Sequence, residues 1–284
     1  MEINPMWLNI INRLMIKLSE LHIYPIKSLG GIRVDQSRVL KPGLEYDRRW
    51  MLVDPQGNFL SQRNVPKMAL LAVGWNSGEF IIIDKLNPKD GIPLPLQQQR
   101  ESIKKVRIWD DEVDAIPVDP AISKWLQKKL HIPCELVYMP ASTIRPIDEK
   151  YAVSDESVSF ADAMPYLLIS QASLDNLNSR LESPIPMDRF RPNLVISGTE
   201  PFEEDFWDSV QIGSVRFKVT KPCARCVMTT VAQDTGKTGK EPLATLSKFR
   251  KFGNKILFGQ NMIALDEGLI THKDVLKIIL KKNK

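Results

Sequence analysis

Cys223-Ala224-Arg225-Cys226 holds two of the three cysteines in a chain of 284 residues. It follows an alternating run over residues 215–220 and precedes Val227-Met228-Thr229-Thr230-Val231, whose β-branched composition favours extended chain. The two thiols are therefore expected in a turn between two strands. A redox dithiol needs its first cysteine at a helix N-terminus, where the dipole lowers the thiol pKa, and the β-branched run argues against a helix there. A structural zinc site needs four ligands, and Cys134, His22, His131 and His272 are each isolated in sequence. A thiolate held ionised by an adjacent cation fits better: Arg225 precedes Cys226 and favours its charged form. A soft thiolate also suits a transition metal. Two cysteines packed beside a β-turn remain the alternative.

Two further stretches carry chemistry. Lys27-Ser28 ends an alternating segment with Pro25 inside it and Gly30-Gly31 behind it, and offers an ammonium and a hydroxyl to an anion. Arg189-Phe190-Arg191-Pro192-Asn193 leads into the apolar residues 194–196, a donor-rich cluster at the mouth of a strand that suits anion and amide recognition. Taken alone, exposed charge is the first reading of each.

Composition bounds what these groups can serve. A chain 43% hydrophobic and 26% charged is of ordinary globular make-up, and its length allows one large or two modest domains. Thirty-nine basic against 34 acidic residues leave +5, and the basic block nearest to a run is Lys281-Lys282-Asn283-Lys284. Nucleic acid is not implied, and a basic pocket for a small anion is equally compatible. An odd number of cysteines argues against a disulfide framework and for a reducing, cytoplasmic compartment. The apolar runs in residues 1–18 are too short to cross a bilayer and no small-residue cleavage site follows them. Residues 1–15 read as dispensable, with Met15 an alternative start. No transmembrane span, internal repeat, Walker loop or Gly-x-Gly-x-x-Gly is seen.

The elements that must position these residues are mostly short strands. They are expected over residues 21–28, 34–40 and 47–54, the last closing a hairpin with 59–63. Pairs follow at 68–75 with 79–84 and at 104–109 with 113–118. Asp119-Pro120 caps a helix with Ile122, Trp125, Leu126 and Leu130 at helical spacing, and residues 134–138 form a strand. Residues 139–151 read as a linker. Beyond it come a strand at 166–169, a helix capped by Ser170, strands at 194–198, a hairpin turning at Gly213-Ser214, a short helix at 242–251 and a strand at 258–265.

Taken together and in order, Tyr24-Pro25-Ile26-Lys27-Ser28, Asp47-Arg48-Arg49-Trp50, Ser61-Gln62-Arg63, Phe190-Arg191-Pro192-Asn193, Cys223-Ala224-Arg225-Cys226 and Phe258-Gly259-Gln260-Asn261 make the chain resemble MOSC-domain proteins. These carry a MOSC N-terminal β-barrel domain in front, as in the mitochondrial amidoxime-reducing component and its bacterial relatives. The resemblance runs from about residue 20 onward. It implies a β-rich α+β fold: an extension at 1–19, the N-terminal β-barrel-like domain at 20–140 and the MOSC β-barrel at 141–284, with a few peripheral helices. The first strand is open to belonging with the second part, because Lys27 and Cys226 have to lie near one cofactor.

The same resemblance implies a molybdenum cofactor, a pyranopterin with a dithiolene and a terminal phosphate. Cys226 would be the molybdenum ligand and Asp162 the carboxylate near the metal. Arg225 would touch the pterin or phosphate, Lys27, Ser28 and Arg48 would hold the phosphate end, and Arg191 and Asn193 would lie on the cofactor. Asp162 here stands between Ala161 and Ala163, where the amidoxime-reducing component has hydroxyl side chains. The implied activity is reduction of N-hydroxylated substrates: amidoximes, hydroxylamines and N-hydroxylated bases. Pyridoxal phosphate chemistry is not implied. Some bacterial relatives add an iron–sulfur domain with clustered cysteines; without such a cluster here, electrons are expected from a separate ferredoxin-, flavin- or cytochrome-type protein. The rival role is a cofactor or sulfur carrier, with Cys226 as persulfide acceptor.

Overall fold

The computed structural model describes residues 15–76, 78–96 and 102–282; the expectation for residues 1–14 lies outside them. Among the described residues the strands form four sheets. The largest runs in the order Leu276–Lys281, Trp207–Ile212, Val215–Ala224, Lys255–Ala264, Tyr166–Ser170, Leu194–Ser197, Lys17–Ile23 and Ile32–Val34, with Lys251–Phe252 added alongside Lys255–Ala264. Lys17–Ile23 pairs with Leu194–Ser197, so the first strand does sit in the sheet of the second half. Gly268–Thr271 returns the exchange by pairing with Gln36–Leu40. Trp50–Val53, Glu135–Tyr138, Asp111–Pro117 and Lys104–Ile108 make a second sheet, and Leu71–Asn76, Glu79–Asp84 and Asn87–Leu94 a third.

The patterns explain the placements. Tyr166–Ser170 is buried at every position, as befits a central strand with a parallel neighbour and a crossover helix, Gln171–Asn178. Val215, Phe217 and Val219 face the core while Arg216 and Lys218 do not, the period-two alternation of a half-covered strand. One core cluster joins both halves, with Leu18, Trp50, Phe80, Leu126, Tyr166, Trp207 and Phe217 among its members. The helix Pro120–Leu130 begins where Asp119 Oδ1 accepts from Ala121 N at 2.8 Å, as its cap sequence requires.

The strand expected over 21–28 ends at Ile23 and the helix expected over 242–251 is only Leu243–Leu246; other expectations fail for reasons the contacts show. Residues 47–49 are not extended: Arg48 has φ +50°, and Asp47 Oδ1 accepts from Tyr24 N at 2.8 Å. The strand starts only at Trp50, and its partner is Glu135–Tyr138 rather than residues 59–63. Phe59 makes a single bridge to Val53, after which Ser61 O accepts from Asn64 N and Val65 N and turns the chain away. Residues 227–230 form a 3-10 turn instead of a strand. There Thr229 Oγ1 donates to Cys226 O at 3.0 Å and Thr230 Oγ1 to Val227 O at 2.7 Å, local bonds that compete with a sheet ladder. Asn87–Leu94 is a strand that two prolines conceal; it lies at a sheet edge, where proline is tolerated.

Candidate functional site

The strand Val215–Ala224 changes character as it nears the cysteines. Its pairing with Lys255–Ala264 slips between Val219 and Lys221 and again between Pro222 and Ala224. Bulges bend a strand and re-aim its side chains, and they let Pro222 sit inside the ladder without a donor. The facing strand is brought close by Gly259: at φ +81° its Cβ would meet Ile169 Cγ1 at 2.6 Å. Beside this bent end lies a cavity of about 540 Å³. Lys27, Ser28, Arg48, Asp162, Arg191, Asn193, Arg225 and Cys226 all line it, so residues from distant parts of the sequence share one space.

The two cysteines have different surroundings. Cys223 is half-buried against the apolar cluster of Phe190 and Phe258, whereas Cys226 is exposed. The guanidinium of Arg225 does not serve Cys226: its Nη1 lies 2.9 Å from Cys223 Sγ and its Nη2 donates to Phe190 O at 2.6 Å. The cation at Cys226 is Arg63, whose Nη1 lies 3.6 Å from Sγ. Arg63 is held over Trp109, 4.4 Å from the ring centre, and reaches Asp162 Oδ2 at 3.7 Å. Sequence proximity pointed to the wrong arginine, because extended backbone sends adjacent side chains to opposite sides. Ser61-Gln62-Arg63 was the available signal, without a role attached.

Lys27 is 4% exposed, and its Nζ donates to Phe160 O at 2.8 Å and to Asp162 Oδ1 at 2.5 Å. Burial pulls the Lys27 ammonium down to about 8, with the Asp162 charge opposing. Asp162 opens onto the cavity. Desolvation there would raise its pKa, but the charges of Lys27 and Arg63 outweigh it and hold the carboxyl well below the ordinary range. The loop carrying Asp162 is fixed by Arg145, a residue sequence reasoning passed over as linker. Arg145 is buried, donating through Nη1 to Ser159 O and Ala161 O, through Nη2 to Asp162 O and through Nε to Asp111 Oδ2. Ser28, at φ +67°, is steadied by Gln62, whose Nε2 donates to Ser28 O at 2.7 Å and which exchanges amide bonds with Gln233.

Arg48 and Arg191 both stack on Tyr24, with 4.4 and 4.2 Å from guanidinium carbon to ring centre. Arg48 is committed internally: Nη1 donates to Asp47 Oδ2 at 2.5 Å and Asn193 Oδ1 at 3.1 Å, and Nη2 to Arg191 O at 3.1 Å. Asn193 is committed likewise, its Oδ1 also accepting from Leu167 N and its Nδ2 donating to His22 O. Arg191 is different. It is 6% exposed, and its Nη2 is buried without a hydrogen-bond partner, as is Nε of Arg225. Burial, then the charge of Arg48, pulls the Arg191 guanidinium down to about 10. Unsatisfied buried donors are costly, and both belong to residues of the cavity wall. An acceptor-rich anion there would satisfy them.

Comparison with known proteins bears on this geometry. The MOSC domain model matches residues 155–277 and the MOSC N-terminal beta barrel domain model residues 15–133. Mitochondrial amidoxime-reducing component 1 of Xenopus laevis is 33% identical over 284 aligned residues, covering 93% of this chain and 82% of the relative.

The chain belongs to the MOSC-domain family. The Homo sapiens amidoxime-reducing component 1 is 32% identical over 92% of the chain and 82% of its own length. A molybdenum cofactor sulfurase of Oryza sativa subsp. japonica is 33% identical over 86% of the chain, which spans only 32% of that protein. The β-rich α+β architecture is that expected of a MOSC protein. Among the described residues, no helix is long and apolar enough to cross a membrane.

Proposed function

We propose that this MOSC protein is a molybdenum-cofactor-dependent oxidoreductase that reduces N-hydroxylated compounds with electrons from a separate donor protein. The observation that carries the reading is the exposed Cys226 thiol on the wall of the same cavity as the unpartnered buried donors of Arg191 and Arg225. A soft thiolate and anion-seeking guanidinium groups match the donor set of a dithiolene cofactor bearing a phosphate. When bound, that cofactor would supply the two-electron redox chemistry that N–O reduction needs.

The chain's own residues supply the rest. Cys226 would ligate the metal, and Arg191 and Arg225 would neutralise the cofactor's anionic end. The phosphate contacts expected of Lys27 and Arg48 become a matter of background charge, since Asp162 and Asp47 already take their direct bonds. The overall change is R–NH–OH + 2 H⁺ + 2 e⁻ → R–NH₂ + H₂O, so protons must be held near the substrate. Lys27 Nζ, hydrogen-bonded to Asp162 Oδ1, holds one, and Asp162 orients it. Electrons come from a ferredoxin-, flavin- or cytochrome-type partner, and three unpaired cysteines suit a reducing, cytoplasmic setting. The similarity to cofactor sulfurases together with the exposure of Cys226 favours one second reading, a sulfur carrier with a Cys226 persulfide.

The deciding experiment is metal analysis and turnover of a neutral amidoxime by protein made in a molybdenum-replete host, with a chemical reductant. Near-stoichiometric molybdenum and turnover are expected. Cys226→Ala should bring activity to background while Cys223→Ser keeps most of it. Bound persulfide on Cys226 by mass spectrometry, without turnover, would replace the reductase reading with the carrier.

A further inference from the structure

We propose that the exposed rim of the cavity is an anion subsite for the substrate, in which Lys221, with Lys150 and Lys255, selects N-hydroxylated compounds that carry a phosphate or carboxylate; this rests on the reductase reading. All three lysines line the cavity that Cys226 lines. Lys221 and Lys150 converge on one ring, with their Nζ atoms 4.1 and 4.8 Å from the centre of Tyr151. Lys150 is paired with Asp148 at 2.6 Å. Among the described residues Lys221 and Lys255 form no ion pair. Of these three ammonium groups only that of Lys150 is paired with a carboxylate.

The backbone builds this arrangement. Lys221 stands two residues past the buried Val219 and would face the core in an unbroken strand. The register shift between Val219 and Lys221 sends it to the cavity wall instead. Lys221 is half-buried there, its ammonium pulled down by burial and then by the charge of Lys150, a state that a bound oxyanion relieves. Phe252, the cross-strand partner of Lys255, is 80% exposed at the cavity edge, where Pro222 and Leu257 also lie. A large exposed aromatic next to unpaired cations is a platform for a planar ring bearing a negative group. This group of cations is distinct from the inner one, where Arg191 and Arg225 hold the unpartnered buried donors.

The test compares matched substrates on the molybdenum-loaded protein with a chemical reductant. One arm sets N4-hydroxycytidine against its 5′-monophosphate, the other benzamidoxime against 4-carboxybenzamidoxime. The anionic member of at least one pair should have the higher kcat/KM, the advantage should shrink with added salt, and the arm that shows it names the oxyanion. In Lys221→Met the anionic-to-neutral ratio of kcat/KM should fall about tenfold, through KM. An unchanged ratio overturns the proposal, and so does loss of molybdenum from Lys221→Met, which would assign the lysine to the cofactor. If the parent turns over neither member of any pair, the reductase reading has failed and binding decides the subsite alone. Cytidine 5′-monophosphate and benzoate would then be titrated calorimetrically into the loaded protein. About tenfold weaker binding of one of them by Lys221→Met supports an anion site, and equal affinities of parent and variant for both overturn it.

Discussion

At the inner end of the cavity Lys27 and Arg191 are buried and Arg48 nearly so, while at the rim Lys150 and Lys255 stand in solvent and Lys221 is halfway between. The inner cations are locked: Arg48 to Asp47, Asn193 and the Arg191 carbonyl, Lys27 to Asp162 and the Phe160 carbonyl. At the rim Lys150 and Lys221 rest on the Tyr151 ring, and only Lys150 is paired, with Asp148. Charge of one sign therefore does two jobs. Buried and paired, it braces segments that are distant in sequence and leaves only chosen donors free. Exposed and unpaired, it costs the fold little and stays available to a ligand.

The sharpest way to break this contrast is to remove the inner brace. Arg48→Ala leaves Asp47, whose side chain is fully buried, without its guanidinium, and loss of one member of a buried pair costs about 3–5 kcal/mol. Urea unfolding of cofactor-free protein should show a loss of that size. A loss below about 1 kcal/mol would mean that Arg48 is a ligand contact and no brace.

A pH series tests the other inner cation. Lys27 titrates near 8 in the folded protein against about 10.4 for a free lysine. Between those values the unfolded chain binds more protons, so stability gained through this group rises with pH from 8 to about 10.4 and is flat beyond. The parent should gain about 3 kcal/mol relative to Lys27→Met across that window. Parallel stability curves would show that Lys27 is as well solvated as the lysines of the rim.

Thiol labelling then contrasts the cysteines. Cys226 is exposed, Cys223 half-buried under Arg225, and Cys134 buried, its thiol pushed up to about 11 by desolvation. Iodoacetamide should label them in that order at neutral pH, with Cys226 at least about tenfold ahead of Cys134. Peptide mapping reads the order directly, and Cys223 reacting first would reverse the assignment of the exposed ligand.

The smallest effect is expected at the rim. Lys255→Met removes an exposed charge without an ion partner among the described residues. Its melting temperature should match that of the parent, as for most surface changes. A clear drop would place Lys255 in a bracing network like that of Arg48.

Much of this molecule was legible from residue order. Tight-turn hairpins, the Asp119-Pro120 helix start and the Ser170 cap are local, and local chemistry set them. The cavity residues were nameable through the ordered motifs, because each motif keeps its side chains together in the chain. What the sequence could not disclose is which groups meet across the fold. That Arg63 rather than Arg225 stands at Cys226, that Trp50–Val53 pairs with Glu135–Tyr138, and that Asn193 ties His22 to Arg48 all depend on register between segments tens to hundreds of residues apart. Two threonine hydroxyls folded residues 227–230 into a turn against their β propensity, and the register shift after Val219 turned Lys221 from the core to the cavity. Propensity and spacing act over a few residues; bulges, buried ion pairs and strand exchange are settled only when the two halves pack on one core.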